Sequence, residues 1–275
     1  MKQLAPRLLP VALLAGVVAL SASTAQTDPT VSEGRTLIKR ALERATWAQE
    51  QAFEARYRHA VVQRTRKFNK QGEVEEDESL LYSVEPVRGV PYSRLVSKNG
   101  GPIEGDDLKT ERERWQNFLE ELDKDPDADE GEEDEEDENI VFNDELLERF
   151  TTKLDGIRDL RGRPSFVVSF EPRPGNLPVR RQIDRALNKS RGRVWIDTAT
   201  YEIARVNFEL IEQVRLWGGI LGRISDARGH YEREPVAENV WLPTEIDLYF
   251  HVRVLFSTTR RGETTQWSDF EPIAE

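Results

Sequence analysis

Apolar residues along this chain change their period twice before residue 62. From Leu8 to Leu20 they are nearly continuous, broken only by Pro10 and Gly16. Leu37, Ile38, Ala41, Leu42, Ala45 and Ala48 then return every three or four positions. That stripe predicts an amphipathic helix over Thr30 to Ala48. Thr30 and Glu33 have the spacing of a capping box at its start. Next the period becomes two. Phe53, Ala55, Tyr57, His59 and Val61 alternate with Glu54, Arg56, Arg58, Ala60 and Val62, which predicts a long half-buried strand.

The middle of the chain mixes both periods. Asn69 to Gly72 reads as a turn, Leu80, Tyr82 and Val84 as a strand ended by Pro86, and Val90 to Ser97 as another. Asn99-Gly100-Gly101 closes it, because both glycines accept positive φ. Asp106 to Leu122 carries Trp115, Phe118, Leu119 and Leu122 on one helical face. Asn143 to Phe150 has room for a helical turn. Phe166, Val168 and Phe170 alternate, and Pro172, Pro174 and Pro178 mark an irregular connection.

The last third is strand and turn. Arg193 to Asp197, Ile203 to Ile211 and Ile224 to Glu232 read as strands, with a bend at Gly218, Gly219 and Gly222. The strongest alternation follows. Ile246, Leu248, Phe250, Val252, Val254 and Phe256 hold successive alternate positions. Arg261-Gly262-Glu263 is expected to turn the chain into a final strand through Trp267 and Phe270. Short links between successive strands imply an antiparallel sheet of about ten strands. The expected fold is α+β and mainly β: a strongly curved antiparallel sheet forming an unclosed barrel, with two main helices packed on or in its concave side.

Charge and cysteine content narrow the setting. Lys2 and Arg7, the apolar run, and small residues before Gln26 have the layout of an export signal cut after Ala25. The run is shorter than the roughly 18 residues needed to span a bilayer. A signal peptide over 1–25 and a single domain over 26–275 are therefore expected, with no membrane span after cleavage. The chain contains no cysteine, which removes disulfides, thiolate metal sites and N-terminal lipidation together. A soluble bacterial periplasmic protein fits best. Net charge is −12, but 11 of the 14 residues from Asp125 to Glu138 are acidic. Without that run the chain is nearly balanced. The run is expected to form a disordered insertion at about 123–139. No basic nucleic-acid footprint is visible.

Catalytic signatures are missing from the sequence. It has no GxSxG elbow, HExxH pair, phosphate loop or dinucleotide fingerprint. His59, His230 and His251 lie on different expected strands, without ligand-like partners nearby. No catalytic residue, metal or cofactor is assigned, and the protein is expected not to be an enzyme. The six tryptophans read first as core packing; the alternative, with the alternating strands, is that some line an apolar cavity inside the curved sheet. Its expected lining is Phe53, Tyr57, Leu80, Tyr82, Trp195, Val206, Phe208, Ile246, Leu248, Phe250 and Val252.

One stretch carries a family likeness. Gly192-Arg193-Val194-Trp195-Ile196-Asp197, a turn, and Glu202-Ile203-Ala204-Arg205-Val206 resemble the periplasmic lipoprotein-carrier superfamily, the LolA/LolB-like proteins. Trp241-Leu242-Pro243-Thr244, opening a long strand, also fits that group. The resemblance extends over roughly residues 30 to 271. It implies an unclosed antiparallel barrel with helices as a lid and an apolar interior. It also implies a carrier of lipids or lipoprotein acyl chains, or a sensor of lipids and envelope proteins. The acidic insertion and the proline-rich connection depart from the family pattern. The expected function is a non-catalytic periplasmic binding protein for a hydrophobic ligand or acylated protein. The alternative is an envelope sensor or scaffold that holds another protein through strand faces or the acidic loop.

Overall fold

The computed structural model describes residues 29–124, 144–216, 222–255 and 257–273. The expected leader and the acidic run at 125–138 lie outside the described residues.

The first helix, α1 (Pro29–Glu50), leads through a 3-10 turn (Phe53–Arg56) into β1 (Tyr57–Phe68), β2 (Val74–Val87), β3 (Val90–Lys98) and β4 (Gly101–Pro102). The helices α2 (Gly105–Lys124) and α3 (Asp144–Glu148) follow, then β5 (Phe150–Leu160), β6 (Arg163–Pro172) and α4 (Gln182–Leu187). The remainder is strand: β7 (Ser190–Asp197), β8 (Ile203–Leu210), β9 (Val214–Leu216), β10 (Gly222–Ala237), β11 (Val240–Val254) and β12 (Ser257–Pro272). These twelve described strands form one antiparallel sheet in the order β4-β3-β2-β1-β12-β11-β10-β8-β7-β6-β5, with β9 beside β10. The first long strand pairs with the last, so the two halves of the chain meet in mid-sheet. β4 and β5 are the free edges, and the barrel is unclosed. This is the expected fold class, except that the two long helices do not share one side of the sheet.

Several expected boundaries move, each for a local reason. Ala52 takes a left-handed conformation at φ 47°, and residues 53–56 coil into the 3-10 turn instead of extending. The strand therefore begins at Tyr57, and Phe53 is not part of it. The helix starts at Pro29, so Thr30 sits inside its first turn rather than capping it. Proline is well suited to that position because its missing N–H has no helical partner there. Arg261-Gly262-Glu263 is not a turn. It lies within β12, and the chain reverses at Leu255, where φ is 51°. Gly262 makes room for a ring: a Cβ there would stand 3.3 Å from the Phe68 ring.

The strand β5 had no clear signature. Leu154 pairs with Val168 and Gly156 with Val167, so Asp155 is an extra residue that breaks the alternation. The short elements α4 and β9 were likewise not expected.

The two long helices take separate seats. The α1 stripe packs Leu37, Ile38 and Ala41 onto Leu147, Val168, Val194 and Ile196, at the β5–β7 end. At the other end α2 packs Phe118 and Leu122 on Tyr92. The Tyr92 hydroxyl donates to Glu111 at 2.7 Å, and its ring meets Trp115 edge-on at 4.8 Å. Register places Tyr92 beside Glu85, on the opposite set of strand positions from Val168 and Val194. Among the described residues no helix is long and apolar enough to cross a membrane.

The helix α1 lies close on β5 because Gly34 has no side chain. A Cβ there would come within 2.9 Å of the Leu154 amide nitrogen and 3.0 Å of the Lys153 carbonyl carbon. Both are backbone atoms, which cannot rotate aside. Gly34→Val is expected to lower unfolding free energy by about 2 kcal/mol, as overpacked sites do. Urea denaturation monitored by tryptophan fluorescence checks this. An unchanged midpoint would show that the helix can slide away at no cost.

Candidate ligand-binding face

Sheet register decides which of the expected lining residues share a face. Directly paired residues on adjacent strands project to the same side. Val206 pairs with Tyr231, and Tyr231 with Ile246. Phe208 pairs with Gly229, and Gly229 with Leu248. Phe250 stands beside Ala227, and Val252 beside Ile224. Val206, Phe208, Ile246, Leu248, Phe250 and Val252 therefore form one apolar patch across β8, β10 and β11. All six are half-buried.

The side chains lean into the gap that Gly229 leaves. A Cβ at Gly229 would meet Leu248 Cδ2 at 2.6 Å and Phe208 Cε1 at 3.2 Å. Gly192 does the same on β7, where a Cβ would stand 2.6 Å from the Phe170 ring. Tyr231 closes one side of the patch. Burial pushes its phenol up to about 12, so it stays protonated and can donate a hydrogen bond.

The other expected residues lie elsewhere. On β12 the same face turns polar, with Thr265 beside Ile246, Glu263 beside Leu248 and Arg261 beside Phe250. Leu80 and Tyr82 fall beyond it on β2, next to Gln63 and Val61. Tyr57 starts β1, while Phe53 sits in the 3-10 turn with its ring 5.6 Å from Trp47. Trp195 pairs with Val167 and Arg205, and so points to the opposite face. There Arg193, Trp195, Asn207, Arg228, His230 and Asp247 help to line an open depression of about 680 Å³. Phe170 and Phe208 also border it, but its polar and charged side chains belong to the face away from the apolar patch.

The residues of the 192–206 motif do structural work. The Asp197 carboxylate accepts from the amides of Ala199 and Thr200 and from the Thr200 hydroxyl, and Arg163 donates to it at 2.8 Å. Burial pushes its pKa up, but the Arg163 and Thr200 hydrogen bonds outweigh that and hold it below the usual carboxylate range. Arg205 pairs with Glu232, which also receives Arg161. The Arg205 guanidinium stands 5.7 Å from the Trp195 ring centre. Trp241 is buried, with Arg163 over its ring at 5.2 Å.

Sequence reading missed the ion cluster that ties these parts together. Glu202 is 1% exposed. One of its oxygens takes Arg44 Nε at 2.7 Å, and the other takes Arg233 Nη1 at 2.8 Å. Arg44 also donates to the Asn239 carbonyl at 2.9 Å, and Arg233 to the Trp241 carbonyl at 2.7 Å. The cluster thus joins α1, the start of β8, and the β10–β11 turn. A glutamate directly after the turn, amid apolar neighbours, was its only trace in the sequence.

No family model matches the chain, and no curated protein does either. Solved structures do. The chain is similar to a domain described as an outer-membrane lipoprotein-sorting protein from Vibrio parahaemolyticus. Identity is 12%, with 86% of this chain and 93% of that one covered, at a TM-score of 0.34. It is also similar to a LolA superfamily protein from Nitrosomonas europaea, at 11% identity over 88% and 94% of the two chains, TM-score 0.32. A third is the Mycobacterium tuberculosis lipoprotein LppX, at 12% identity over 90% and 99%, TM-score 0.28. They superpose loosely, so what this chain binds has to be read from its own residues.

Two outcomes test the cluster and the turn. Glu202→Ala leaves two arginines facing each other without their shared carboxylate. It should cost about 3–5 kcal/mol of unfolding free energy, the usual loss when one partner of a buried pair is removed; chemical denaturation reads it. Asp197 has a lowered pKa when folded. Its contribution is therefore complete above the ordinary carboxylate value of about 3.9 and fades as pH falls through the folded value. Asp197→Asn should be less stable than the parent at pH 7, with the gap narrowing on acidification. A gap that stays constant down to acid would refute this assignment.

Proposed function

We propose that this chain is an exported, non-catalytic binding protein for a hydrophobic ligand. The ligand would be a lipid or the acyl chains of a lipoprotein, held against the β8–β10–β11 patch. The observation that carries this reading is the patch itself. Six apolar side chains form one continuous surface and remain half-buried; the core under α1 lies on β5, β6 and β7 and takes in only Val206 of the six. An acyl chain laid on such a surface gains about 0.8 kcal/mol for each methylene fully removed from water.

The leader expected at residues 1–25 and the absence of cysteine support a periplasmic setting. The names of the similar proteins point the same way without identifying a ligand. The Tyr231 hydroxyl, protonated at the patch border, is suited to a carboxyl or ester oxygen at the ligand's polar end.

A fluorescent fatty acid should bind the purified chain. Phe250→Asp should abolish that binding, and Leu248→Ala should weaken it about tenfold, as expected for losing most of one buried leucine contact. Trp195→Ala, on the opposite face, should leave it unchanged. If the parent takes up no fatty acid and carries no lipid when purified, the proposal fails.

A further inference from the structure

We propose that the end of the sheet where β11 turns into β12 docks onto an anionic lipid bilayer. Two independent features meet there.

The first is a row of arginines. Arg223 on β10 pairs directly with Arg253 on β11 and with Arg215 on β9. Three positive side chains thus stand side by side at one level of the sheet. Like charges directly opposite one another destabilise a sheet, so such a row needs counter-charge. The carboxylates closest along the same strands and links are engaged elsewhere: Asp226 holds Arg228 at 3.1 Å and Glu212 holds Lys189 at 3.1 Å. Among the described residues none of the three arginines has an ion pair. Arg253 Nε reaches only the Leu255 carbonyl, at 3.4 Å. Arg223 Nε is buried without a hydrogen-bond partner. The stretch from Leu248 to Gly262 contains no Asp or Glu. In a chain of net charge −12, this end is locally basic.

The second feature is apolar. Val254 is 42% exposed and Leu255 is 53% exposed, at the reversal between the two strands. A free phosphate would satisfy the arginines but would leave these side chains in water. An anionic bilayer satisfies both, since the guanidinium groups meet headgroup phosphates while the valine and leucine enter the acyl boundary.

Docking of this end does not depend on the ligand proposal above. The chain, purified in its exported form, is tested by co-sedimentation with phosphatidylglycerol vesicles and with phosphatidylcholine vesicles. Binding should favour the anionic vesicles and weaken with salt. Each arginine near an anionic surface is worth about fivefold in binding. The double variant Arg215→Gln/Arg253→Gln should therefore bind about 25-fold more weakly. Leu255→Asp should also lose binding, whereas Arg253→Lys should keep it. These positions are exposed, and fatty-acid uptake by the same variants should be unchanged. Vesicle binding and fatty-acid binding can thus fail separately. Equal binding to both vesicle types, no binding to either, or full binding by the double variant would overturn the proposal. So would a response confined to inorganic phosphate.

Discussion

The buried carboxylate of Glu202 is the contact on which the arrangement of helix and sheet depends. A carboxylate removed from water carries a desolvation cost of several kcal/mol unless its oxygens are met. Here each oxygen has its own arginine, one from α1 and one from β10. The same arginines bind carbonyls in the β10–β11 turn. This geometry admits one placement of α1. Sliding the helix by a residue would part Arg44 from Glu202 and leave one buried carboxylate oxygen without its arginine, while Arg233 kept the other. The apolar stripe of α1 supplies the attraction, and the ion cluster supplies the register. Arg44 also stacks 3.8 Å over the Trp47 ring, which carries the fixed geometry to the end of the helix.

The two faces of the sheet divide the work. One face is tied by charge, with Glu232 receiving Arg161 and Arg205 while Arg205 lies near Trp195. The other face is apolar, covered by α1 at one end and left half-open over β8, β10 and β11. Glycines at 192 and 229 sit on that apolar face and let Phe170, Phe208 and Leu248 lie flat against the backbone. Any side chain at those two positions would also meet a backbone carbonyl of the neighbouring strand, that of Asn207 or Asp247, so the glycines serve the strand pairing as well. The family-like motif thus belongs mostly to the architecture, and the proposed binding patch lies mostly on β11, with Val206 and Phe208 added from β8.

How far the sequence could be read depended on whether a signal was local. The β11 alternation was legible because six alternate apolar positions follow without a break, and period two has no other economical explanation. The α1 stripe was legible for the same reason. β5 was not, because one bulged residue at Asp155 shifts its period partway along. Phe53 matches the strand alternation in sequence, while the left-handed turn at Ala52 leaves no mark in composition. Gly262 looked like a turn residue, because a glycine that makes space for a ring and one that bends the chain are the same letter.

By itself, the sequence determined the class of fold: a long antiparallel sheet with an amphipathic helix before it, and one strand with a strongly apolar face. Those are consequences of periodicity, which each segment carries alone. Tertiary structure decided everything that depends on pairing. It placed Trp195 on the face away from Phe208, put polar β12 between Ile246 and Leu80, and brought Arg44, Glu202 and Arg233 together from three distant parts of the chain. It also set Arg215, Arg223 and Arg253 in one row. The physical reason is that strand register flips every side chain with a one-residue shift, and register is fixed by partners far away in sequence.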